Sequence, residues 1–93
     1  MLNSPDLEAE LRKGREAAML LEHPLLVAAF EDMRKGLYKA WVDSHPSAKE
    51  ERELCFVAMK LLERLHGSLQ QHMLTGQFAA QQLLLGEKSN VNH

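Results

Sequence analysis

Apolar side chains recur along this chain at alternating steps of four and three, and the pattern breaks at two short stretches, His23-Pro24 and Asp43-Ser44-His45-Pro46. Steps of four and three keep one face of a helix apolar, so the pattern predicts helices separated by tight connections. The first predicted helix covers residues 4–22, with Leu7, Leu11, Gly14, Ala18 and Leu21 on its seam. Ser4 suits the N-cap, Pro5 the first helical position and Asp6 the positive end of the helix dipole. Gly14 costs about 1 kcal/mol relative to Ala inside a helix. Its place on the seam fits the close approach of a neighbouring backbone, and a tolerated defect is the equal alternative.

Pro24 cannot continue the first helix and suits the first turn of a second, predicted over 24–42. Leu26, Phe30, Met33, Leu37 and Trp41 lie along one face of it, and Glu31 stands four residues before Lys35 in the favourable order. The third pattern is the longest. Ser47 and Glu50 have the spacing of a capping box, and Leu54, Ala58, Leu61, Leu65, Leu69 and His72 or Met73 carry a stripe to residue 74. A helix over 47–74 would be about 40 Å long. Cys55, Phe56, Val57 and Leu62 make more than one face apolar near its start. Gly76 reads as a C-cap or kink, followed by a short helix over 77–85 and a flexible polar tail over 87–93. Residues 1–86 thus form a single helical domain, all-α, an elongated hairpin or bundle of three main helices and a short C-terminal one.

Composition narrows the function classes. With 93 residues the chain supports one modest core, and with 5% aromatic residues that core must rest on Leu, Ala and Met. A net charge of -2 gives no global electrostatic reason to bind nucleic acid or an anionic membrane. Cys55 is the single cysteine, so no intramolecular disulfide or multi-cysteine zinc site can form, and a small buried hydrophobe is the expected role. No basic-then-apolar signal opens the chain, and no apolar run approaches the roughly 20 residues of a membrane span. The host cytoplasm, or a particle assembled there, is the expected location.

Candidate chemistry is sparse. Glu63 and His66 form a Glu-x-x-His pair, the spacing of di-iron carboxylate bundles. Such a site needs a second pair and further carboxylates, which only symmetry mates could supply, with Glu22 or Glu31 as extra ligands; an exposed pair beside Arg64 is the expected reading. His66 and His72 are six apart and do not share a face. The segment at Thr75-Gly76-Gln77 has the outline of a helix-turn-helix, but no Lys or Arg lies between Arg64 and Lys88. A recognition helix without cations lacks the phosphate contacts that supply most affinity. Arg12, Lys13 and Arg15, like Arg34, Lys35 and Lys39, are interleaved with acids and read as solvated faces. No nucleophile triad or phosphate loop is present; Asp43, Ser44 and His45 are neighbours within a turn, which does not orient a triad. Neither enzyme activity nor a cofactor is expected.

Several of these positions carry a resemblance: Gly14 with Leu20-Leu21, His23-Pro24-Leu25 leading to Ala29-Phe30, Ala40-Trp41, Glu51-Arg52-Glu53, and Thr75-Gly76-Gln77 with Ala79. On them the chain resembles small helical proteins of tailed bacteriophages and prophages encoded near head and DNA-packaging genes. The likeness spans about residues 10–85 and contains no catalytic signature; Cys55-Phe56 stands where an aromatic-rich stretch is expected. It implies a non-enzymatic structural or assembly component that binds itself and a larger head, portal or packaging protein. Leu61, Leu65, Leu69, Met73, Phe78, Leu83 and Leu84 are the expected partner interface, because a surplus of apolar surface marks contact sites. The competing classes are a regulatory binding module, such as a host-protein inhibitor or a small terminase-like DNA binder, and third an oligomeric metal-binding protein.

Overall fold

The computed structural model describes the backbone of residues 4–91 and the side chains of residues 5–86. The described residues are all-α: α1 (Ser4–Glu22), α2 (Pro24–Asp43) and α3 (Lys49–Val91). Two compact units share them. One unites residues 4–21 with 68–91, and the other covers 22–67.

In the second unit α2 pairs with the first half of α3. His23 opens α2 from an extended conformation (φ -68, ψ 122), its ring accepting from the Leu25 N–H at 3.2 Å while Pro24 occupies the first turn. The carbonyl of His23 accepts the first helical bond, from Val27 N at 3.0 Å. At the far end Ser44 satisfies the Trp41 carbonyl twice, from its hydroxyl at 2.6 Å and its N–H at 3.3 Å. The short connection to α3 makes the two helices antiparallel neighbours. Phe30, Cys55 and Leu62 are buried there, and His66 meets the Phe30 ring edge-to-face at 5.1 Å.

The capping box expected at Ser47 and Glu50 does not form. Ser47 Oγ lies 2.7 Å from His45 Nδ1, and the Ser47 N–H donates to the same nitrogen at 3.1 Å. With its hydroxyl taken by the turn, Ser47 cannot cap, and the first helical bond runs from Arg52 N to the Ala48 carbonyl at 3.1 Å.

In the first unit α1 pairs with the second half of α3, and two glycines set the distance. A Cβ built on Gly14 would lie 2.6 Å from Gly76 Cα and 3.0 Å from the His72 carbonyl oxygen. One built on Gly76 would lie 2.7 Å from Gly14 Cα and 3.1 Å from the Glu10 carbonyl oxygen. Rising numbers on α1 therefore meet falling numbers on α3, an antiparallel pair whose backbones touch where side chains are missing. Ala17 and Ala79 are the buried alanines of this pair. Gly76 thus departs from its expected role as a C-cap. A glycine cap needs a positive φ, and no described glycine has one. The helix continues through Thr75-Gly76-Gln77, so the separate 77–85 helix and the break before it are absent. The backbone expected as a tail is helical to Val91, and residues 92–93 lie outside the described residues.

The buried side of α3 follows a strict repeat. Cys55, Met59, Leu62 and His66 in one unit, and Leu69, Met73, Gly76, Ala80 and Leu83 in the other, alternate in steps of four and three. Each is buried or half-buried. A repeat averaging 3.5 residues is that of helices packed side by side as a coiled coil. The expected stripe agrees with this seam from Leu69 onward and is one residue off before it. Leu54, Leu61 and Leu65 belong to a second, exposed stripe. Met33 and Trp41, which share the apolar face of α2 with the buried Phe30, are exposed as well.

Candidate protein-interaction face

The second unit leaves much of its apolar surface uncovered. Two stripes run along the first half of α3, one residue out of step: Cys55, Met59 and Leu62 turn inward, and Leu54, Ala58, Leu61 and Leu65 form the other. A helix can give only one such seam to one neighbour, and α2 takes the inward seam. The outer seam keeps 70% of Leu54, 59% of Leu61 and 57% of Leu65 exposed, and Met33 of α2 is 55% exposed. Buried apolar residues are few by comparison: Ala17, Phe30, Cys55, Leu62 and Ala79.

Two grooves flank the outer seam, with Leu61 as the ridge between them. The first, of about 410 Å³, runs between the helices and is lined by Leu26, Ala29, Phe30 and Met33 of α2 and Ala58, Leu61, Leu62 and Leu65 of α3. No charged side chain lines it. The second, of about 590 Å³, is lined by Phe56, Val57, Lys60, Leu61, Glu63 and Arg64. Lys60 lies 5.5 Å from the centre of the Phe56 ring and 3.5 Å from a Glu63 oxygen, so the edge of this groove is polar. An uncharged centre with a charged rim is the anatomy of a protein contact.

The first unit carries smaller features of the same kind. Phe78 and Leu84 are exposed, while Leu69, Met73 and Leu83 are half-buried on the seam repeat. Leu69 lines a groove of about 180 Å³ with Ala17 and Leu20, and Met73 one of about 270 Å³ with Leu11 and Ala18. The seven residues expected at an interface therefore divide: Leu61, Leu65, Phe78 and Leu84 face outward, and Leu69, Met73 and Leu83 sit on the inner seam. Leu54, Phe56, Val57 and Met33 belong with the outward set and were missing from the expectation. The signal for Leu54 is its step of four to Ala58, which with Leu61 and Leu65 completes a second repeat, and Val57 flanks that repeat four residues before Leu61.

Glu63 and His66 are engaged separately. Glu63 pairs with Lys60, and His66 packs on Phe30. Among the described residues no group of three or more His, Cys, Asp or Glu side chains is arranged to hold a metal ion. The cations of α2 are solvent-facing, and Lys39 bonds Asp43 at 2.6 Å. Among the described residues no helix is long and apolar enough to cross a membrane.

Fold and surface together define a class: an all-α chain of antiparallel helix pairs with an uncovered apolar seam. No known protein family, curated protein or solved structure matches it.

Proposed function

We propose that this chain is a non-enzymatic assembly component of a tailed bacteriophage, acting through contacts with itself and with a larger head, portal or packaging protein. The observation that carries the reading is the imbalance of apolar surface: seventeen large apolar side chains are exposed and five apolar residues are buried among the described residues. Exposed apolar patches on this scale mark contact surfaces. The uncharged groove beside Leu61 offers shape and apolarity without the acids, bases or nucleophiles that turnover requires. The phage context rests on the resemblance carried by Gly14, His23-Pro24-Leu25, Ala40-Trp41 and Thr75-Gly76-Gln77. Its place of action on this reading is the host cytoplasm or the virion.

The test is isolation of tagged chain from infected cells, together with quantitative mass spectrometry of purified particles. The expected result is stoichiometric recovery with a head, portal or packaging protein or with the particle itself. Recovery with none of them would overturn the assembly role. Recovery with a host enzyme or with duplex DNA would point to the regulatory reading instead.

A further inference from the structure

We infer that the groove between α2 and the first half of α3 is filled by the same groove of a second copy of this chain, giving a two-fold, antiparallel four-helix core with Leu61 near its axis. The inference deepens the self-contact in the proposed function and rests on that reading.

Two observations select this occupant. The first is register. Leu54, Ala58, Leu61 and Leu65 repeat in steps of four, three and four, the spacing of the inward seam already filled by a helix, so the surface matches a packed helix rather than an extended peptide. Continued by the same steps the repeat meets Ser68 and His72, so its apolar part ends with this unit. The second is area. The face is two helices wide, about 20 Å, and α2 from Leu25 to Trp41 is about 25 Å long, a footprint of roughly 500 Å² per copy. Two such faces together reach the ~1,000 Å² at which specific interfaces begin. A lone helix laid in the groove would cover only part of that width, whereas a second helix pair matches it.

The register gives specific neighbours. With the axis between Ala58 and Leu61, Leu61 of one copy packs on Ala58 of the other, and Leu54 lies opposite Leu65. Ala58, the one small residue of the seam, makes room for Leu61 across the axis, a large-into-small fit that the chain supplies to itself.

Light scattering coupled to size exclusion, over a wide range of full-chain concentrations, should give twice the 10.6 kDa chain mass. Leu61→Glu should weaken the dimer by about 30-fold or more, the effect expected at the centre of an interface. Leu84→Glu, on the exposed surface of the other unit, should leave it unchanged. Leu61 is exposed in the single chain, so far-UV circular dichroism of Leu61→Glu should retain its helicity. If it does not, the chain carrying Cys55→Ala and Leu61→Cys decides, since mild oxidation should link it into dimers while Cys55→Ala with Leu85→Cys stays unlinked. A wild-type chain that remains a monomer at every concentration overturns both this inference and self-contact in the proposed function. An oligomer untouched by Leu61→Glu, with no cross-link through position 61, overturns the groove as its site and leaves self-contact standing.

Discussion

Adding one methyl group at Gly14 should destabilise this protein, although the same change in a free helix would stabilise it. The Cβ of Gly14→Ala would stand 2.6 Å from Gly76 Cα, 3.2 Å from Gly76 N and 3.0 Å from the His72 carbonyl oxygen. Carbon atoms rest at about 3.5–4.0 Å, so α1 and α3 must separate by roughly 1 Å at this crossing. The opposing atoms are all backbone and cannot rotate aside. A radial gap of that size forfeits up to half the attraction of each neighbouring contact. Overpacking of this kind costs about 1–3 kcal/mol, and rigid neighbours place Gly14→Ala at the upper end. Helix propensity returns about 1 kcal/mol. The net expectation is a loss of about 2 kcal/mol, a fall in midpoint of roughly 8–16 °C for a chain of this size.

Gly36 is the control. It is helical and exposed, and a Cβ there meets nothing within 4 Å. Gly36→Ala should therefore gain the propensity alone, about 1 kcal/mol, and melt roughly 4–8 °C higher. Urea and thermal denaturation followed by far-UV circular dichroism read both variants, at one protein concentration because association shifts the midpoint. The combined Gly14→Ala and Gly76→Ala chain should lose less than the two single losses together, since helices already parted by one methyl admit the second more easily. Gly14→Ala and Gly36→Ala shifting the midpoint in the same direction would refute the close crossing.

Three further outcomes follow from the helix pairs. Phe30→Ala should cost about 3–5 kcal/mol and Leu62→Ala about 2–5 kcal/mol in urea denaturation, because both side chains are only 6% exposed. His23→Ala should cost about 0.5–1 kcal/mol by removing the acceptor of the Leu25 N–H at 3.2 Å, which thermal melts resolve against a Glu22→Ala control. His66→Ala should lose about 0.5–1.5 kcal/mol from the edge-to-face contact with Phe30, and elemental analysis should find the metal content of the purified chain unaltered by it or by Glu63→Ala.

The sequence pattern carried the three main helices, the bend at His23-Pro24, the seam of α1 and the α3 seam only from Leu69, because steps of four and three depend on helix geometry alone. It misjudged two junctions for the same reason. Ser47 with Glu50, and Gly76 after Thr75, are residue types that end helices when nothing competes for them. In the folded chain His45 engages the Ser47 hydroxyl, and Gly14 fills the space that Gly76 leaves. Both competitors are tertiary or turn partners invisible to a local motif. The paired glycines were nonetheless latent in the repeat: Gly14 and Gly76 each sit on their helix's seam, where a residue without a side chain is useful only if the opposite position is equally bare.

The candidate face was legible only in part, and the cause lies in α3 itself. Its first half carries two complete apolar repeats one residue apart, one through Cys55, Met59 and Leu62 and the other through Leu54, Ala58 and Leu61. Periodicity assigns equal merit to both and cannot say which meets α2. Continuation decides it: the first repeat runs on through His66, Leu69, Met73 and Gly76, and the second stops being apolar after Leu65. A helix held against its own chain from residue 55 to 83 needs the longer repeat inside, which turns the shorter one out. The outer seam is thus a consequence of a helix that must satisfy its own hairpin partners first. What remains, twelve residues from Leu54 to Leu65 with no charged residue on the seam, is matched in length and spacing to one more helix layer.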